Sequence, residues 1–156
     1  MAARHNLTLP PEIMSDSAPL CHLTAAMLAA APSIAVLRDP TRGGVAASLN
    51  ELADAAGVGI LLDEAAIPVH PAVQGVCDIL GFDPLTLANE GKLLAFVPPE
   101  DTERVLAVMH ADPHGRAACV IGHTTAEEAG TVGLRTSLGG IRVVDLPLGE
   151  LVPRIC

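Results

Sequence analysis

Apolar residues fall in short blocks whose spacing changes along the chain. Ala18 to Ala31 is dense in Ala, Leu and Met and stops at Pro32, which predicts a helix starting near Ser17. Ile34 to Leu37 reads as a short buried strand. The turn Asp39-Pro-Thr-Arg-Gly-Gly44 then opens a second helix, with Val45, Leu49, Leu52 and Ala56 on one face and Gly57 at its end. Val58 to Leu62 predicts a strand, and His70 to Leu80 a helix closed by Gly81. Asp83 to Asn89 is a short helical or turn segment, Lys92 to Val97 a strand, and Glu100 to His110 a helix. Ala117 to Gly122, Val132 to Thr136 and Ile141 to Val144 predict three more strands, the last two joined at Gly139-Gly140.

Helices and strands alternate first and strands cluster last. That order predicts an α/β (α+β) fold, a mixed β-sheet packed with helices. Residues 1–16, with Pro10-Pro11, read as a linker or N-terminal extension, 17–148 as one domain, and 149–156 as a mobile tail.

Composition narrows the function. Half of the 156 residues are hydrophobic, yet Phe82 and Phe96 are the only aromatics, so the core must be aliphatic. Mean hydropathy of +0.45 predicts apolar surface meant for a partner or a second copy. Net charge is −9 and Lys92 is the only lysine, which argues against nucleic acid or an anionic membrane as partner. No apolar run reaches membrane-span length and Met1 to Leu9 lacks signal-peptide features, so the cytoplasm is the default. Cys21, Cys77 and Cys119 lie in apolar surroundings and read as core thiols. Cys156 stands apart, at the end of Pro153-Arg-Ile-Cys156, a stiffened arm that could present its thiol to another site.

Two loops could carry chemistry. In Asp39-Pro-Thr-Arg-Gly-Gly44 the glycines let backbone approach a ligand, the helix start favours an anion, and Arg42 adds a phosphate fork. The plain alternative is a strand-to-helix turn capped by Thr41 or Asp39. In Ala88-Asn-Glu-Gly-Lys92, Glu90 sits where a loop enters a strand; a solvated turn shaped by Asn89 and Gly91 is the alternative. His110 and His114 are four apart, but Pro113 intervenes and no metal site is expected.

These segments resemble the C-terminal half of the hydrogenase expression/formation (HypE) family. The pieces are Ser15-Asp-Ser-Ala-Pro-Leu20, Arg38 to Gly44 with Leu49-Asn-Glu-Leu52, Gly57-Val-Gly-Ile60, Leu80-Gly-Phe-Asp-Pro-Leu85, Ala88 to Lys92 and Pro153-Arg-Ile-Cys156. The Gly-Gly turn recurs more loosely across the aminoimidazole-ribonucleotide-synthetase-like superfamily, whose C-terminal-domain fold the resemblance implies.

The resemblance also implies a reaction. Cys156 would accept a carbamoyl group from a HypF-like carbamoyltransferase, and ATP with Mg2+ would drive its dehydration to a thiocyanate. The cyanide would pass to iron on a HypC–HypD scaffold. Glu90 would take the carboxamide proton, and Asp39, Thr41, Arg42, Gly43, Gly44 and Asn89 would face the nucleotide side. Arg154 would help dock the arm. The family's N-terminal ATP-binding domain has no counterpart in these residues. The chain is therefore expected to be an excised or split half, inactive on ATP alone and binding no nucleotide by itself. The alternatives are half of another ATP-dependent synthetase of the superfamily, or a non-catalytic binding module.

Overall fold

The computed structural model describes residues 15–146. It contains four α-helices and six strands: α1 (Cys21–Ala30), β1 (Val36–Arg38), α2 (Gly44–Ala56), β2 (Gly59–Asp63), α3 (Pro71–Leu80), β3 (Leu94–Phe96), α4 (Thr102–Ala111), β4 (Gly122–Thr125), β5 (Val132–Arg135) and β6 (Ile141–Val143). The α+β class expected from the sequence is the one observed. The strands divide, however, into two sheets. Strands β1 and β3 form an antiparallel pair, and the other four run in the order β4-β2-β5-β6. Within the larger sheet β2 and β5 are parallel and the outer pairs antiparallel.

Each sheet has its own aliphatic core. Ala46, Leu49 and Ala53 of α2 lie on Ile60, Leu62, Val132, Leu134 and Val144, with Leu85 closing one side. Alanines let the helix approach closely, and each fully buried Leu, Ile or Val contributes about 1.5–3 kcal/mol. The second core sets Leu23 and Met27 of α1 against Val105 of α4, beside Leu37 and Ala95 of the strand pair. The buried stripe of α2 is rotated from the one expected: Leu49 is inside, but Ala56 is exposed and Ala46 and Ala53 are buried. Small residues settle which face a helix buries, and hydropathy alone ranks them poorly.

Other boundaries move for local reasons. Helix α1 starts at Cys21, after Pro19, because residues 15–18 are drawn against the 90–92 loop. The run 117–121 is not a strand; β4 begins at Gly122 and pairs with β2 from Leu62↔Gly122 to Gly59↔Thr125. As an edge strand β4 is selected by backbone pairing, so polar His123 and Thr124 serve where Val120 and Ile121 were expected. Of the three internal cysteines only Cys77 is buried; Cys21 and Cys119 are exposed, which corrects the reading of both as core. Cys21 opens α1 on the side away from Leu23 and Met27, and the Cys119 thiol donates to the Ala66 carbonyl at 3.3 Å. Among the described residues no helix is long and apolar enough to cross a membrane.

Candidate functional site

Three separate stretches of chain meet in one seam. Strand β1 delivers the loop 39–44, in which Pro40 is fully buried. The Pro40 carbonyl accepts the Asn89 backbone N–H at 3.0 Å, which ties this loop to the one before β3. Gly43 caps α2 in a left-handed conformation (φ 75°), and Gly44 follows with φ 63°. The Gly44 N–H donates to the Thr41 carbonyl at 2.9 Å. A Cβ on Gly44 would lie 2.5 Å from the carbonyl oxygens of both Leu85 and Leu87. Glycine is needed here twice, for the dihedral and for the space.

The facing turn is shaped by its own side chains. Asp83 accepts the Leu85 N–H at 2.9 Å and Asn89 Nδ2 donates to the Leu87 carbonyl at 2.8 Å. The third stretch arrives at Asp16, whose carboxylate accepts the Glu90 N–H and Lys92 Nζ, each at 3.2 Å. A Cβ on Gly91 would fall 1.6 Å from the Asp16 carbonyl oxygen, so the two backbones touch. The Asp16–Lys92 pair is about half exposed, so its net worth is at most about 1 kcal/mol. Backbone contact, more than charge, holds the seam.

The structure thus brings Asp39, Thr41, Arg42, Gly43, Gly44, Asn89 and Glu90 into one neighbourhood, as separate motifs did not reveal. Thr41 and Asp39 do not cap α2; no side chain does. Asp39, Arg42 and Glu90 are exposed, and among the described residues their side chains have no hydrogen-bond partner. A carboxylate that abstracts a proton gains basicity from desolvation, and Glu90 as it stands is open to water. Any cover must come from outside the described residues. Cys156 and Arg154 lie outside those residues, as does the segment expected to be a mobile tail.

The fit to a nucleotide is partial. The side-chain-free start of α2 and the Arg42 guanidinium suit phosphate oxygens. Among the described residues no three His, Cys, Asp or Glu side chains converge to hold a metal ion, so a nucleotide-bound Mg2+ would need further ligands.

Sequence reasoning left two residues without a role. Asp16 lies in the matched Ser15-Asp-Ser stretch yet gave no chemical signal. Asn50, inside Leu49-Asn-Glu-Leu52, donates to the Ala46 and Val144 carbonyls at 2.9 and 2.8 Å, joining α2 to the end of β6. Its neighbour Glu51 pairs with Arg38 at 2.9 Å.

Comparison with known proteins agrees with this architecture. Residues 4–135 match the family model of the AIR synthase related protein, C-terminal domain. The chain is 53% identical over 156 residues to carbamoyl dehydratase HypE of Rhodobacter capsulatus and 51% identical to that of Cupriavidus necator. Those matches take in 100% of this chain but 46% and 44% of the two relatives. The chain therefore spans about half the length of the curated relatives it matches. A crystal structure of hydrogenase maturation protein HypE superposes with a TM-score of 0.92 at 42% identity, over 99% of this chain and 50% of that one. HypE in complex with ATP gives 0.91 at 40% identity (99% and 48% of the two chains), and a HypE–HypF complex 0.87 at 39% (94% and 47%). With a family match over most of its length and the fold to go with it, the chain belongs to the AIR synthase related protein family as a C-terminal domain of the HypE kind.

Proposed function

We propose that this chain is the carrier half of a HypE-like carbamoyl dehydratase acting in [NiFe] hydrogenase maturation. Identity of 53% over the whole chain to a carbamoyl dehydratase carries the reading. The convergence of Asp16, Pro40 and Asn89 in one seam supports it, since it sets Glu90 beside the Gly43-Gly44 turn. In this reading the Cys156 thiol attacks the carbonyl carbon of an activated carbamoyl donor on a HypF-like transferase; the S–C bond forms as the bond to the activating group breaks, that group departs with the thiol proton, and an S-thiocarbamate, R–S–C(=O)–NH2, remains. ATP phosphorylates the carboxamide oxygen, and elimination of phosphate leaves R–S–C≡N with ADP. The two protons on nitrogen depart, one of them to Glu90. The cyano group then moves to iron on a HypC–HypD scaffold, where a two-electron donor on the acceptor side reduces the S–CN bond, leaving cyanide on iron and Cys156 as thiolate.

The residues of this chain have distinct tasks. Gly43 keeps the α2 start bare on the nucleotide side, Gly44 packs that start against the Leu85 and Leu87 carbonyls, and Arg42 lies on the phosphate side. Asp39 and Thr41 shape that loop, and Asn89 holds the loop that carries Glu90. Arg154 docks the arm. A companion N-terminal half would complete the ATP and Mg2+ site and cover Glu90, which fits the exposure of that carboxylate.

Intact-mass and peptide mass spectrometry test the proposal. The chain is incubated with a HypF-like transferase, carbamoyl phosphate and ATP, with and without a HypE N-terminal half. A carbamoyl adduct is expected on Cys156, converted to a cyano adduct only when the companion half is present. Glu90→Gln should accept the carbamoyl group and fail to convert it; Cys156→Ala should accept nothing. An unmodified Cys156 beside a transferase that carbamoylates a full-length homologue would overturn the reading.

A further inference from the structure

Asp16 meets the Glu90 loop from far along the chain, and one oxygen of its side chain makes both of its contacts there. Oδ2 accepts the Glu90 N–H and Lys92 Nζ, each at 3.2 Å. The Asp16 backbone carbonyl lies so close to Gly91 that a Cβ on that glycine would fall 1.6 Å from it. Residue 16 therefore touches 90, 91 and 92 in turn. The two kinds of contact are separable: the approach to Gly91 belongs to the backbone and survives a change of the Asp16 side chain.

Glu90 itself is left free. It is exposed, and among the described residues its carboxylate has no hydrogen-bond or ion-pair partner. Yet Lys92, the only lysine of the chain, follows it by two residues on a long, flexible stem. That ammonium is held instead by a carboxylate 76 residues away in sequence. The charges around Glu90 are thus sorted, with Lys92 on Asp16, and with Arg42 and Asp39 unpartnered on the facing loop. The Asp16–Lys92 pair is about half exposed and adds little stability, so its consequence lies in where it keeps the charge.

We propose that Asp16 is a positioning residue for Glu90: it pins the Glu90 peptide and sequesters Lys92, so that the Glu90 carboxylate stays unpaired. The inference rests on the proton-accepting role proposed above for Glu90. An ammonium beside a carboxylate favours the charged form and makes it a weaker proton acceptor. With Asp16 in place the Lys92 charge is met by an opposite charge of its own, and Glu90 is left to take the proton from the carboxamide nitrogen. The hydrogen bond to the Glu90 N–H fixes the peptide from which that side chain starts.

Asp16→Asn tests the proposal, because it can keep an oxygen acceptor for the Glu90 N–H and loses the charge that holds Lys92. The chain is paired with a HypE N-terminal half, and carbamoylation of Cys156 is measured before its conversion to the cyano adduct. Asp16→Asn should accept the carbamoyl group at the parent rate and convert it at least about tenfold more slowly. Adding Lys92→Met should bring conversion back to within about threefold of the parent. A merely structural Asp16 would not be rescued by removing a second contact of the seam. Lys92 also reports directly, since a chain labelled with 13C at lysine Cε gives one side-chain signal. In the parent that signal should follow a carboxylate titration that survives Glu90→Gln; in Asp16→Asn it should follow one that Glu90→Gln abolishes. Parent-rate conversion by Asp16→Asn, a slow variant that Lys92→Met fails to rescue, or a Lys92 signal in Asp16→Asn that ignores Glu90 would each overturn the proposal. Glu90→Gln separates the two readings. If it converts at the parent rate, the role of Glu90 fails and this inference with it; if it is inert while Asp16→Asn is unimpaired, the inference alone falls.

Discussion

The seam around Gly44 and the hairpin of β5 and β6 both depend on glycine, for opposite reasons. In the seam, glycine is needed because another backbone occupies the space a side chain would fill. At the hairpin tip, Gly139 has φ 90° and nothing within 4 Å of a built Cβ, so only the dihedral matters. One region is closed by backbone contact and offers the chain little room to vary. The other is open and presents apolar side chains to whatever lies beyond. The loops proposed to bear on the nucleotide grow from the closed region, as does the Asp16 contact proposed to keep Lys92 from Glu90.

The largest expected effect comes from adding a single methyl to the seam. Gly44→Ala combines a left-handed dihedral with a Cβ driven against two carbonyl oxygens. The strain is about 1–2 kcal/mol for the dihedral and about 1–3 kcal/mol for overpacking. Gly139→Ala should cost only the first of these. Urea unfolding of the two variants measures the contrast directly. Equal losses would mean that the seam yields more easily than its contacts imply. Gly91→Ala sharpens the test, because its penalty is purely one of space; it should free residues 15–18, read as faster amide exchange at Glu90.

How much of this was legible in the sequence depends on what held each element in place. Helices α2 and α3 were read almost to the residue, since Gly57 and Gly81 stop them in left-handed caps. The hairpin was read from Gly139-Gly140. Strand β4 was misplaced because its identity lies in pairing with β2, and the apolar run before it is a better strand by hydropathy. Cys21 and Cys119 were misread because apolar neighbours in sequence need not be neighbours in space. The site was legible as motifs and illegible as geometry. No local pattern says that Asp16 meets Glu90 and Lys92 across the fold, nor that Asn89 turns its side chain back on its own loop.

An intermediate effect is expected at Asn50, which fastens the open region to α2. Asn50→Ala removes both side-chain hydrogen bonds and leaves the Val144 carbonyl without that donor. The expected loss is about 1–3 kcal/mol. Its signature should be regional: amide exchange should rise in β6 and stay unchanged in the Pro40–Asn89 seam. A uniform rise across both would show that the two regions unfold as one unit.

The smallest effect is a pH dependence at the hairpin tip. The Glu64 carboxylate accepts the Ser137 hydroxyl and, at 2.7 Å, the Ser137 backbone N–H. The hydroxyl bond, then the backbone bond, hold its pKa below the ordinary 4.5; a slight loss of solvation opposes them and the Arg142 charge adds a little. A carboxylate with a lowered folded-state pKa stabilises the fold above its unfolded pKa. That stabilisation is lost as pH falls through the lowered value. The carboxylate is fully exposed, so solvent keeps the effect small. Ser137→Ala should therefore lower the melting temperature slightly at neutral pH, with the gap to the parent chain closing below about pH 4 as Glu64 protonates in both. Melting curves collected from pH 7 downward read the gap directly. A gap that stayed constant through the acid range would mean that Ser137 acts through hairpin geometry alone, with no part played by the charge on Glu64.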